Sequence, residues 1–97
     1  MMDLSKYAEF EWDKGNFDKS FKKHKISPNE AEEMFLDERL LLQEDLKHSQ
    51  FEQRFTIIGS TISKKLLLTV FTIRNNKIRI ISVRIADRKE RRQYEKT

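Results

Sequence analysis

The segment Ile78–Ala86, I-R-I-I-S-V-R-I-A, constrains this chain more than any other stretch. β-branched residues dominate it and apolar side chains occupy both parities, as in a central strand covered on both sides. Arg79 and Arg84 interrupt that pattern at different parities, so a regular strand would point them to opposite faces. A guanidinium taken out of water needs a partner or an anion. A bulge near Ser82, or a site at the sheet edge, would let both side chains serve one side. Asp87 then reads as an N-cap, with Glu90 at the third helical position completing a capping box. Arg88, Lys89, Arg91 and Arg92 crowd the first turns of that helix. A central strand carrying arginine and feeding a cationic helix reads as a surface for an anionic polymer.

Charge along the chain agrees. Residues 1–73 hold 11 Lys/Arg against 13 Asp/Glu, whereas residues 74–97 hold 9 against 3, a local net of +6. Such asymmetry points to nucleic acid or an acidic partner, against the bland reading of a solvated helix face. An acidic segment of a protein partner would associate with this face in a salt-sensitive way. Ninety-seven residues suit one domain, expected over 1–97. The absence of cysteine excludes disulfides and thiolate metal sites. With no apolar leader and no run approaching a membrane span, the expected address is cytoplasmic.

Taken in order, Glu9-Phe10-Glu11-Trp12 alternates like a short edge strand. Asp13 is a candidate N-cap for a helix over roughly 14–25, with Phe17, Phe21 and His24 on its apolar stripe. Ser27, Pro28 and Glu30 mark a second helix with a capping box, ending near Asp37. Strands are expected at Leu40–Leu42, at Arg54–Ile58 ending at Gly59, at Leu66–Ile73 and from Ile78. Asn75-Asn76 suits the positive φ of a tight hairpin turn. The order β-α-α-β-β-β-β-α gives an α+β fold: a small antiparallel sheet of four to five strands, two N-terminal helices and one C-terminal helix. Leu68, Val70, Phe71, Ile80, Ile81 and Val83 are the expected core of its central strands.

No P-loop, dinucleotide glycine pattern, H-E-x-x-H or nucleophile elbow is present. Asp45, His48 and Glu52 read as exposed polar residues rather than a metal site, and His24 either as a packing residue on a helix stripe or as an acid–base group paired with His48. Metal-free RNA cleavage by 2′-hydroxyl attack needs positive charge at the phosphorane and a proton acceptor. Arg54, Arg79 and Arg84 lie on strands that can hold them rigidly. Arg88, Arg91 and Arg92 are candidate peripheral phosphate contacts. Tyr94 is placed either to stack on a base or to cap the core. His48 and Lys23 are candidates for proton transfer, His48 for its reference pKa near neutrality. Glu52 would orient a base or pair with Arg54. The alternative for Arg79 and Arg84 is a structural ion pair, with Asp13 or Glu90.

These motifs accumulate into a resemblance. Phe10-Glu11-Trp12-Asp13-Lys14-Gly15-Asn16, Lys23-His24 before Ile26-Ser27, Glu30-Ala31 and Phe35 resemble the N-terminal half of BrnT-type toxins. His48-Ser49, Glu52-x-Arg54, Gly59, the run Arg79-Ile80-Ile81-Ser82-x-Arg84-x-Ala86, and Glu90-Arg91 with Tyr94 resemble the rest. The chain departs from that pattern at Lys25, where the family usually has glycine, at Ser20 and at Val83. The resemblance implies a compact RelE-like domain and a ribonuclease that arrests growth without a metal or other cofactor. It also implies a BrnA-type antitoxin with a ribbon-helix-helix part, forming a heterotetramer that meets operator DNA only through the antitoxin. The competing class is a non-catalytic nucleic-acid-binding or protein-interaction module, a decayed toxin.

Overall fold

The computed structural model describes residues 9–12, 22–45 and 52–96. Its elements are β1 (Phe10–Trp12), α1 (Pro28–Glu33) continued by a 3-10 turn (Met34–Leu36), β2 (Leu41–Glu44), β3 (Arg54–Ser60), β4 (Leu66–Arg74), β5 (Lys77–Ile85) and α2 (Arg88–Glu95). Most of the helix expected over 14–25 lies outside the described residues, as do Asp13 and His48; residues 22–24 are helical. That stretch ends at Lys25 with φ 57°, the left-handed backbone that glycine adopts without steric cost.

The five strands form one sheet in the order β1-β5-β4-β3-β2. Strands β2 to β5 are an antiparallel meander, as expected. The sheet is nevertheless mixed, not antiparallel, because β1 pairs parallel to β5, Glu11 lying opposite Arg79. β1 and β2 lie at opposite edges of the sheet, and β1 runs with the last strand of the meander. A three-residue strand carries no pattern that reveals its direction. Strand β3 also runs on through Gly59 to Ser60 instead of stopping before it.

Local signals survive intact. Ser27 Oγ accepts from the Glu30 amide at 3.2 Å and Glu30 Oε1 accepts from the Ser27 amide at 3.0 Å. Asp87 and Glu90 repeat the arrangement at 2.8 and 2.9 Å. Asn75 and Asn76 both adopt positive φ, 53° and 60°, matching the twist of the β4–β5 ribbon.

The core lies between the sheet and α1. Ile26, Ala31, Met34 and Phe35 close over Phe55, Ile57, Leu67, Phe71, Ile78, Ile80 and Val83. Ile80 and Val83 have opposite parity yet share this cluster, and a bulge is the reason. Val70 pairs with Ser82 and Phe71 with Ile80, leaving Ile81 as the extra residue. Two-sided burial of the central strands is thereby corrected: Phe71, Ile80 and Val83 are buried, while Leu68, Val70 and Ile81 are half-buried. The second face has a smaller cluster of Ile58, Leu66 and Ala86, with Leu41, Leu68 and Tyr94 packed against it.

Gly59 marks a tight approach of β3 to the 3-10 turn. A Cβ there would meet the Met34 carbonyl oxygen at 3.1 Å and Met34 Cε at 3.4 Å. The first is backbone and yields only if the turn moves. Gly59→Ala is expected to cost about 1–3 kcal/mol by overpacking, read as a lowered urea midpoint; an unchanged midpoint would mean the turn shifts freely.

Candidate nucleic-acid interface

The bulge at Ile81 decides where the arginines go. Beyond it the parity of β5 reverses, so Arg79 and Arg84 emerge on the same sheet face, opposite the main core. Register carries the row across the sheet: Glu11 lies opposite Arg79, Arg79 opposite Thr72, and Thr72 opposite Arg54. Arg84 lies in a separate row with Leu68 and Ile58. Four residues of β3 separate Arg54 from Ile58, about 13 Å, so the two rows face different points on a bound polymer.

Carboxylates punctuate the cations. Glu11 Oε2 is 3.6 Å from Arg79 Nη1 and Glu11 Oε1 is 3.7 Å from Lys77 Nζ. Glu52 accepts a 2.7 Å hydrogen bond from Arg74 Nη2, so its direct partner is Arg74 and not Arg54. Extending the β3–β4 register by two residues puts Glu52 opposite Arg74, a pairing readable once the register is known. The Arg74 hydrogen bond, against burial, holds the Glu52 carboxyl below its usual range, with the charges of Arg74, Arg54 and Arg79 adding to it. Glu52 therefore stays an anion among three guanidinium groups.

Arg84 is a fork. Its Nη1 and Nη2 donate to Glu90 Oε1 and Oε2 at 2.8 and 2.7 Å, the bidentate geometry that suits guanidinium and carboxylate. Glu90 is also the second half of the capping box on α2. This is the structural ion pair weighed against a phosphate role, and it docks α2 on the sheet. Arg88, Arg91 and Arg92 stand exposed on the outer side of that helix.

Tyr94 faces inward. Its ring packs on the second cluster and its hydroxyl donates to Asp37 Oδ2 at 2.7 Å, so the structure gives it the core-capping position. Sequence reasoning missed Asp37 as anything but a helix end, and no local pattern would have found it. Its Oδ2 also accepts from the Ser60 amide at 2.8 Å, and Oδ1 from the Arg39 amide at 3.0 Å. One carboxylate thus joins the 3-10 turn, β3 and α2. Lys23 is exposed, two residues before Lys25, whose carbonyl accepts from Lys65 at 3.3 Å. That is the Ser60–Leu66 end, whereas the Arg54–Arg79 row lies at the other.

These contacts set a pH dependence. Burial pushes the Asp37 carboxyl up, but the Tyr94 hydroxyl and the Arg39 and Ser60 amides outweigh it and the net shift is downward. The Arg84 fork holds Glu90 down, against burial, with the Asp87 amide helping. Burial, followed by the Asp37 hydrogen bond, pushes the Tyr94 hydroxyl up. The depressed carboxyls add stability above about pH 4 that is lost as pH falls through their lower folded values. The raised phenol adds stability below about pH 10 that is lost as pH rises through its higher folded value. Tyr94→Phe is expected to flatten the alkaline limb of a melting-temperature profile; an unchanged limb would show that another group controls it.

Beside α2, among the described residues, runs a groove of about 380 Å³, lined by residues including Ile58, Leu68, Val70, Arg84 and Glu90. No helix among the described residues is long and apolar enough to cross a membrane. The chain matches, over residues 12–90, the family model described as ribonuclease toxin, BrnT, of type II toxin-antitoxin system. No curated protein matches it. A match over most of the length, on a chain that gathers arginines on one sheet face, identifies the family: this chain belongs to the BrnT ribonuclease toxins of type II toxin–antitoxin systems.

Proposed function

We propose that the chain is a metal-independent endoribonuclease of RelE-like organisation that cuts RNA in the cytoplasm, inhibiting translation and growth. The family match carries the reading, and the arginine row supplies its surface. In the proposed reaction the 2′-hydroxyl attacks the adjacent phosphorus, the P–O5′ bond breaks, and a 2′,3′-cyclic phosphate and a 5′-hydroxyl result. Arg79 and Arg54 neutralise the non-bridging oxygens as charge builds on the phosphorane. Glu52, kept ionised by its arginines, is placed to accept a proton or to orient the group that does. His48 is the proton shuttle the sequence offers. Lys23 is the second proton-transfer candidate that the sequence offers. Arg88, Arg91 and Arg92 hold flanking phosphates. A BrnA-type ribbon-helix-helix antitoxin is the proposed partner.

The arginine–carboxylate pairs favour one competing reading, a module that binds RNA without cutting it. Brief induction of the isolated chain separates the two. Fragmented cellular RNA, and purified RNA cut equally well with and without a chelator, is the expected result. Intact RNA would overturn the nuclease, and cleavage abolished by the chelator would overturn its metal independence.

A further inference from the structure

We infer that Glu11 is a positioning residue of the ribonuclease site, acting on RNA through the guanidinium of Arg79; this deepens the ribonuclease reading and rests on it. The parallel pairing of β1 with β5 sets Glu11 directly opposite Arg79. Phe10 and Trp12 pack on the main core, so by strand alternation Glu11 points to the other face, the one that carries the arginine row. Its carboxylate spans two cations there, with Oε2 at 3.6 Å from Arg79 Nη1 and Oε1 at 3.7 Å from Lys77 Nζ. Both spans are long for hydrogen bonds. Glu90 closes on both Nη groups of Arg84 at 2.8 and 2.7 Å, whereas Glu11 steers Arg79 from one side.

Such a carboxylate has opposite effects on binding and on chemistry. An anion beside the arginine row repels phosphate, so Glu11 weakens the complex with uncut RNA. A free arginine side chain has many rotamers, and a guanidinium stabilises a phosphorane only from the right direction. Glu11, fixed on a strand, narrows that choice for Arg79. Glu52 stands on the other flank, hydrogen-bonded to Arg74 and within the field of Arg54 and Arg79. An interaction that costs ground-state binding and raises turnover acts in the transition state. Glu9 supplies the comparison. It precedes Glu11 by two residues and so has the same parity, it is exposed, and its ion pair among the described residues is with Lys77, at 3.4 Å.

The test measures cleavage of purified RNA by Glu11→Gln, together with affinity for a 2′-O-methylated RNA, which lacks the nucleophile and cannot be cut. kcat is expected to fall on the order of 10–10²-fold, the scale of a misplaced reacting group, while affinity rises a few-fold. Glu9→Gln removes the same charge from the same edge and should leave kcat unchanged. In an Arg79→Ala background Glu11→Gln should cost nothing further, because residues that act as a unit are not additive. Should Glu11→Gln not fold, Glu11→Asp decides: it keeps the charge but draws it back, and should lower kcat at unchanged affinity. Affinity lost in step with kcat would mark a merely structural residue and overturns the role. Full activity in a folded Glu11 variant, an equal loss in Glu9→Gln, or a further loss on top of Arg79→Ala also overturns it, and each leaves the nuclease standing. A wild-type chain that cuts no RNA overturns the nuclease and the role with it.

Discussion

Arg79→Ala is expected to lower RNA cleavage by about 10²–10³-fold, the usual loss on removing one group that stabilises transition-state charge. The variant should still melt cooperatively, because Arg79 is half-buried and its ion pair with Glu11 spans 3.6 Å. A partly solvated pair of that length contributes about 0–1 kcal/mol to stability. Arg84→Ala is the contrasting case. It removes both bonds of the Glu90 fork and leaves a half-buried carboxylate short of its partner, at a cost of about 1–3 kcal/mol. Its activity should fall with the folded fraction and no further. A folded Arg79→Ala protein with full activity would sink the phosphate role of that arginine. An Arg84→Ala protein that folds normally but does not cut would move the role to Arg84.

Phe71→Ala should have the largest effect on stability, about 3–5 kcal/mol. The ring is fully buried, stacks on Phe55 at 5.5 Å and meets Phe35 edge-on at 5.2 Å. Phe35 in turn meets Phe10 edge-on at 5.2 Å, so a chain of four rings links β3, β4, the 3-10 turn and β1. A domain of this size has roughly 5–15 kcal/mol in total, so the substitution takes a large share of the whole. Urea denaturation measures it. A loss below about 1 kcal/mol would mean that the cluster collapses around the gap, contrary to the close packing of protein cores.

Both predictions rest on unequal parts of what the sequence discloses. The two capping boxes, Ser27 with Glu30 and Asp87 with Glu90, formed as read because each needs partners only three residues apart. The Asn75-Asn76 turn formed because its backbone requirement is local. Phe71, Ile80 and Val83 were legible as core from their apolar character, and the expected bulge near Ser82 lies at Ile81. That expectation came from a conflict within the strand itself, two arginines of opposite parity in one β-branched run.

What the sequence by itself determined is the order of the described strands, the capped helix starts and the cationic last quarter, since hydrophobic period, caps and charge act over a few residues. Only the tertiary structure decided the rest. The parallel entry of β1 put Glu11 beside Arg79, because strand direction depends on how the chain crosses the sheet. The register of β3 with β4 gave Glu52 to Arg74 in place of Arg54. Docking of α2 turned Arg84 into a fork for Glu90 and Tyr94 into a donor to Asp37, 57 residues away. Each pairing joins side chains that no short-range period connects. Which charges meet is settled by the sheet that carries them.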